Sequence, residues 1–274
     1  MKLHTAARRF DRTPAADAYT PATTFLCQLA PLDLYKIDAT AVKRREMSCA
    51  PSVTIPTRQA ITIDGQVFLV GDGSSDQWEG TKIRTNYVLQ GADHLASLTT
   101  IAAALANTAA TSAYASLDFS KFQSDSRESA DYLPQYQIFI ASAETKPELI
   151  QAGGVWYLVK EGYLSVSGLQ SLLTNELRDP VFETITYGAR TYAPVTDTWS
   201  GTTSSVKIFR VRWTEHFRYL TKASENYERG DMQVFVLKSA LTPKVSDKLT
   251  LSDGAWTVLS IQDEGLTWSL HVRR

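Results

Sequence analysis

The sequence predicts a mainly β protein, built from tandem small β-barrel or sandwich units with a short helical insert in the N-terminal part. Three observations predict this fold class. Apolar and polar residues alternate over many short segments, polar turns containing glycine separate these segments, and a hairpin-like segment recurs along the chain. Many short strands with frequent turns are typical of small barrels and sandwiches. Apolar residues make up 43% of the 274 residues, which is enough to form a core in each unit.

The alternation is clearest between residues 53 and 90. Within this stretch the dipeptide Asp64-Gly65 lies between two alternating segments, and such a dipeptide favours a tight hairpin turn because glycine adopts positive φ without steric cost. The polar segment 71–80 is predicted to be a loop, and residues 83–89 are predicted to form the returning strand.

Residues 93–116 have a different pattern, which predicts a helix. Apolar residues are spaced three and four apart, as on one helix face; they are Leu95, Leu98, Ala102 and Leu105. Asp93 is the predicted cap of this helix. Because Thr and Asn accumulate after it, the helix is expected to be short, within an insert at about 93–133.

These patterns divide the chain into three parts. Residues 1–24 contain two prolines among small polar residues, which predicts an extended N-terminal arm. Residues 25–175 are predicted to form a β domain that carries the helical insert. A change of composition near 174–182 marks the boundary, and residues 176–274 are predicted to form a C-terminal β-barrel domain.

An internal repeat is the most informative feature of the sequence. Three pairs of segments share an alternating strand pattern: 137–140 (QIFI) with 233–236 (QVFV), 154–159 (GVWYLV) with 254–259 (GAWTVL), and 61–70 (ITIDGQVFLV) with 249–258 (LTLSDGAWTV). A proline precedes the hairpin in each case, at Pro56, Pro147 and Pro243. Duplication of a β unit explains these matches, and so does convergence of short hairpins on shared turn rules.

Charge and cysteine content restrict the functions that the chain can have. The formal net charge is −1, which gives no reason to expect nucleic-acid binding over the whole surface. Two cysteines, Cys27 and Cys49, are too few for a disulfide framework. They are interpreted as reduced thiols of a cytoplasmic product, with a single disulfide between them as the alternative.

The sequence contains no pattern that predicts catalysis, a metal site or a cofactor, so an enzyme is not expected. The four histidines are dispersed, and none has a cysteine or carboxylate at metal-ligand spacing. His271 is expected to be exposed in the last strand. The Gly-rich segment at 71–75 lacks the lysine and the helix that a phosphate loop requires.

Some residues are better candidates for contact with partner molecules. Trp78 and Trp199 lie in polar segments that are predicted to be loops, where exposed aromatic side chains favour contact with a protein or a sugar. Basic residues cluster near both ends of the sequence, and these are Arg8, Arg9, Arg12, Arg273 and Arg274.

The C-terminal third resembles a known family. A turn at 192–199 leads into a strand, Gly230-Asp231 opens the next strand, and Pro243 with Asp247 precedes a hairpin. The Asp253-Gly254 turn and the strand 256–261 then lead to the closing Arg273-Arg274. This arrangement resembles the head–tail connector proteins of tailed bacteriophages, in particular the head-closure or stopper type.

The resemblance implies a small β-barrel and a structural role in the virion. The chain is then expected to form a homo-oligomeric ring, with six chains favoured and twelve possible. Its expected partners are the portal or adaptor protein, the tail tube or terminator protein, and genomic DNA that passes through without sequence recognition. Assembly is expected in the host bacterial cytoplasm, without a membrane.

Two other readings of the sequence remain open. One is a carbohydrate-binding, tail-fibre or baseplate β module that uses Trp78 and Trp199. The other is an enzyme of a type that the sequence patterns do not indicate.

Overall fold

The computed structural model describes residues 5–12, 19–31, 44–56, 59–119, 135–141, 147–164, 168–177, 181–193, 198–212 and 230–274. This part of the chain contains eighteen β-strands and one short α-helix. The strands form three closed barrels of six strands each. The prediction of a mainly β protein made of tandem small barrels is therefore confirmed.

The first barrel contains β1 (Thr5–Arg12), β2 (Tyr19–Pro31), β3 (Arg44–Cys49), β4 (Ala60–Ile63), β5 (Gln66–Trp78) and β6 (Thr81–Gly91). Its strand order is β1-β2-β3-β6-β5-β4, and β1 closes the ring by pairing with β4, where Ala7 is opposite Ile63. Inward-facing residues fill the barrel, among them Met47, Ile61 and Leu89. Because alternate residues of each strand face inward, the period-two pattern of the sequence becomes this core.

The second barrel contains β7 (His94–Thr99), β8 (Thr111–Phe119), β9 (Gln135–Ile140), β10 (Leu149–Ala152), β11 (Val155–Leu164) and β12 (Gln170–Glu176). The helix α1 (Ile101–Leu105) lies in the connection between β7 and β8. Small residues such as Ala113 and Ala115 line this barrel together with Ile138, Ile150 and Leu172.

The third barrel contains β13 (Val181–Ala193), β14 (Thr198–Arg212), β15 (Met232–Leu237), β16 (Lys248–Leu251), β17 (Gly254–Glu264) and β18 (Thr267–Arg273). Pairing of β13 with β16, where Tyr187 is opposite Leu249, closes it. Its core includes Trp256, which is 4% exposed.

All three barrels have the same strand order, in which the third strand of each barrel pairs with the sixth. The recurring hairpins are the fourth and fifth strands of each barrel, namely β4–β5, β10–β11 and β16–β17. The QIFI and QVFV segments are the third strands β9 and β15. The repeat of the sequence is thus a repeat of the fold, present in three barrels where the sequence predicted two β domains.

Equivalent side chains also make equivalent contacts in two of the barrels. Gln137 Nε2 donates to Ser171 Oγ at 2.7 Å in the second barrel. Gln233 Nε2 donates to Ser269 Oγ at the same distance in the third barrel. Each bond joins the third strand to the sixth, so the correspondence between the barrels extends beyond the backbone.

The predicted N-terminal arm is wrong, because β1 and the first part of β2 fall within residues 1–24. Proline cannot donate a ladder hydrogen bond, so proline in a strand is confined to edges and irregularities. Pro21 lies at such a position, because the β1–β2 register shifts between Arg9 and Phe10, and Phe10 is opposite Pro21. Pro14 lies outside the described residues.

The short helix that the sequence predicted is confirmed, but its predicted start at Asp93 is wrong. Residues 94–99 form β7, in which Leu95 is exposed while Ala96 and Leu98 are buried. This is the alternation of a strand. The helix begins only after Thr100, whose side chain caps it by accepting a hydrogen bond from Ala103 N.

The chain divides into two compact units. The first contains the first two barrels, which share a buried cluster that includes Leu69, Phe139 and Leu169. The second contains the third barrel together with residues 99–110. In this second unit, Lys207 Nζ donates to Ala104 O at 3.0 Å and thereby holds the C-terminal end of α1 against β14.

Candidate interaction surfaces

The strands β5 and β6 continue as a two-stranded ribbon beyond the core of the first barrel. Their pairing extends to Trp78 opposite Thr81, although residues 72–84 are exposed or half-buried. Glu79 and Gly80 form the turn with φ values of 48° and 79°, the geometry of a tight two-residue hairpin. The segment 71–80 is therefore not the loop that the sequence predicted, because its polar residues are paired strand residues outside the core.

The ribbon ends in an apolar tip. Trp78 is 68% exposed and Ile83 is 51% exposed. We call Trp78, Ile83 and the turn at Glu79 and Gly80 the Trp78 tip. A large exposed aromatic side chain on a paired ribbon is typical of a contact with another molecule.

Polar contacts hold the ribbon in position. Arg84 forms an ion pair with Asp76, and Asn86 Nδ2 donates to the same carboxylate at 3.1 Å. The hydrogen bond from Arg84 lowers the pKa of Asp76, although burial acts in the opposite direction. Ser48 Oγ donates to Asn86 Oδ1 at 2.7 Å, which links the ribbon to β3.

The ribbon leaves the barrel at Gly73. A Cβ atom at this position would lie 2.6 Å from Cε1 of Tyr87. The register of β5 against β6 shifts between Val70 and Gly73, so a bulge redirects the strand here. Gly73 is thus required by the close approach of the backbone to the Tyr87 ring.

A pocket of about 480 Å³ lies at the other end of the same two strands. We call it the basal pocket. Its apolar lining includes Val67, Phe68, Leu95 and Tyr114, and its polar lining includes Arg45, Asp93 and His94. The pocket combines residues of β3, β5, β7 and β8, and every one of them belongs to the first compact unit. Leu95 is 49% exposed there, and the sequence had placed it on the buried face of a helix.

The third barrel has a comparable ribbon, formed by β13 and β14. Their pairing continues to Ala193 opposite Thr198, and residues 201–205 are exposed. Trp199 is a strand residue opposite Tyr192, not a loop residue as the sequence predicted. Its side chain lies outside the described part of the structure.

Of the two C-terminal arginines, Arg273 lies in an ionic cluster of the barrel itself. Arg273 Nε donates to Asp231 Oδ1 at 2.8 Å, and Arg273 Nη2 donates to Oδ2 at 2.9 Å. His271 Nε2 lies 2.5 Å from Asp231 Oδ2. The expectation that His271 is exposed was wrong, because it is 3% exposed and completes this cluster. Arg274 is exposed, with its guanidinium next to Gly254.

The N-terminal arginines Arg8, Arg9 and Arg12 lie in β1. Arg8 and Arg9 are opposite β2 on one side and β4 on the other. Their side chains fall outside the described part of the structure. The structure therefore places these residues in a strand of the first barrel, and their contact with a partner stays a prediction.

The described residues contain no group of three or more His, Cys, Asp or Glu side chains that could hold a metal ion. Among the same residues, no helix is both long enough and apolar enough to cross a membrane. Cys27 and Cys49 are free thiols that lie opposite each other in the core of the first barrel.

Comparisons with known proteins give no relative. No protein-family model, no characterised protein and no solved structure matches the chain. Among the described residues, the Trp78 tip offers an exposed indole ring and the basal pocket offers a recess with polar and apolar lining, and both are accessible to another molecule.

Proposed function

We propose that this protein is a structural component of the neck of a tailed bacteriophage. In this role, copies of the chain form a ring that joins the portal or adaptor of the DNA-filled capsid to the tail and helps to retain or gate the genome. The observation that supports the proposal most is the third barrel. The residues that resemble head-closure proteins lie in a closed six-stranded barrel between Val181 and Arg273.

The projecting ribbons also support a role in assembly. A β-ribbon with an exposed aromatic tip can reach a neighbouring subunit without disturbing the barrel from which it projects. A formal net charge of −1 is compatible with a channel through which DNA slides without adhering.

The number of chains in the ring needs to be determined independently. Six chains with two similar units each would present twelve units to a twelvefold portal or adaptor and six chains to a sixfold tail. Because the described residues of each chain form three barrels, this argument for six chains loses its basis. Six and twelve chains both remain compatible with the proposal.

The proposal is tested by locating the protein in assembled particles. Antibodies against the purified chain are applied to virions of a phage that encodes it, and the bound label is imaged by electron microscopy. We expect the label at the junction between head and tail. Label confined to fibres or baseplate would contradict the neck assignment and support the alternative role.

A carbohydrate-binding module is the second candidate, and one observation favours it. Trp78 presents a large exposed aromatic surface, which is suited to stacking on a sugar ring. A glycan array probed with the full chain and with the Trp78→Ala variant distinguishes the two candidates. Binding to a defined glycan that is lost in the variant would favour the module.

A further inference from the structure

We propose that the Trp78 tip of one copy inserts into the basal pocket of the next copy, so that the ribbon links neighbouring subunits of the ring. This inference rests on the proposed ring and names the contact that holds it together. It joins two surfaces of the first compact unit: an exposed apolar tip and a recess whose lining is partly apolar and partly polar.

The tip cannot fill the pocket of its own chain. Phe68 lines the pocket and Trp78 lies at the tip, ten positions later in the same strand. At roughly 3.3 Å per residue, these positions are about 33 Å apart. From Gly73 to Trp78 every residue is paired with β6, so this part of the ribbon cannot fold back. A tip that occupies this pocket must therefore come from another molecule.

The chemistry of the two surfaces is complementary. The apolar part of the pocket, which includes Phe68 and Leu95, suits an indole ring, and its volume of about 480 Å³ is in the range of pockets that hold small organic groups. The turn beside Trp78 carries Glu79, and Lys82 follows it. The polar lining of the pocket carries the opposite charges, on Arg45 and Asp93. An aromatic anchor within a charged rim is the usual composition of a strong protein contact.

The contact is head-to-tail and not symmetric, because the tip and the pocket are different surfaces at opposite ends of one ribbon. Such a head-to-tail contact leaves one unused tip and one unused pocket at the two ends of an open row of subunits. These two surfaces pair when the rotation from each subunit to the next brings the last subunit back to the first. The inferred contact is therefore compatible with the closed ring of the neck proposal, whereas a rotation that does not close would give an open filament.

The test uses the full chain and three variants. Trp78→Ala removes the anchor, and Leu95→Arg blocks the pocket. Leu266→Ala is the matched control, because Leu266 is 74% exposed but belongs to the turn between β17 and β18. Sedimentation velocity over a range of concentrations gives the dissociation constant for self-association. Circular dichroism verifies that each variant retains the wild-type strand content.

We expect wild type and Leu266→Ala to form rings of the same size. Trp78→Ala and Leu95→Arg each weaken self-association by at least about 30-fold, which is the loss expected when a central anchor is removed. An equimolar mixture of these two variants forms one-to-one dimers, because the Leu95→Arg chain supplies an intact tip and the Trp78→Ala chain an intact pocket.

Three results would overturn the inference. If Trp78→Ala forms rings as tightly as wild type, the tip is not the subunit contact, although the ring proposal stands. If Trp78→Ala rings persist while binding to a glycan or to portal protein is lost, the occupant of the contact is not a second copy. If wild type stays monomeric at every concentration, alone and with portal protein, both the inference and the neck proposal fail.

Discussion

Replacement of Arg273 by alanine is expected to destabilise the third barrel, although the sequence marked this residue as a surface contact. Arg273 makes two hydrogen bonds, at 2.8 and 2.9 Å, to the carboxylate of Asp231, which is 2% exposed. Bonds to a buried charge contribute about 1.5–3 kcal/mol each. The Arg273 side chain is 32% exposed, and His271 stays beside the carboxylate when Arg273 is removed. The expected loss of unfolding free energy is therefore smaller than the sum of the two bonds. We expect Arg273→Ala to lower the free energy of unfolding by about 2–3 kcal/mol.

Hydrogen–deuterium exchange measures this effect locally, which is necessary because a chain of three barrels need not unfold in one step. We expect faster exchange in β15 and β18 of Arg273→Ala, with unchanged exchange in the first two barrels. Arg274→Ala is the matched control, and as an exposed residue it should change stability by less than about 0.5 kcal/mol. Equal exchange in the two variants would refute the reasoning, since the carboxylate would then not anchor the last strand.

Three further predictions concern side chains carried by barrel strands. Tyr87→Phe should lower the free energy of unfolding by about 1–3 kcal/mol, because the hydroxyl accepts a buried loop N–H at 2.9 Å. Tyr157→Phe should have a smaller effect, because this equally buried ring packs edge to face on the Tyr136 ring, a contact that phenylalanine retains; urea denaturation compares the two variants. Burial raises the pKa of Cys27 and of Cys49 from 9.0 to about 11, so the folded state retains protons that the unfolded thiols lose. The free energy of unfolding should then fall between pH 9 and 11, by up to about 1.4 kcal/mol per pH unit for each thiol. Urea denaturation measures this fall, which should be smaller in a variant with alanine at both Cys27 and Cys49. Lys207→Met should increase proteolysis of residues 99–110 under limited digestion, because it removes a bond of 3.0 Å to a carbonyl at the end of α1.

Local features of the fold could be predicted because local chemistry determines them. Asp64 and Gly65 have φ values of 50° and 79°, which is the turn that their dipeptide favours. The repeated segments could be matched because each contains a strand, a turn and a second strand in sequence order. The number of barrels was harder to predict from the sequence. The first two strands, β1 and β2, lack a strong alternating pattern, and β2 contains Pro21.

Features that depend on tertiary contacts could not be predicted. Leu95, Leu98 and Leu105 have helical spacing, but strand pairing of β7 with β8 overrides it and leaves Leu95 half-exposed. Phe68 of the first barrel and Tyr114 of the second line the same basal pocket, and this arrangement arises only when both barrels have formed. Exposure of Trp78 was anticipated correctly, although for the wrong reason, because the residue ends a paired ribbon.

The mass of the assembled particle tests the central claim most directly. Native mass spectrometry of the purified full chain, alone and with portal protein, gives the number of subunits. The proposal of a neck ring predicts one closed species with a single subunit count, of which six and twelve are the expected values. A chain that remains monomeric under both conditions would contradict the claim.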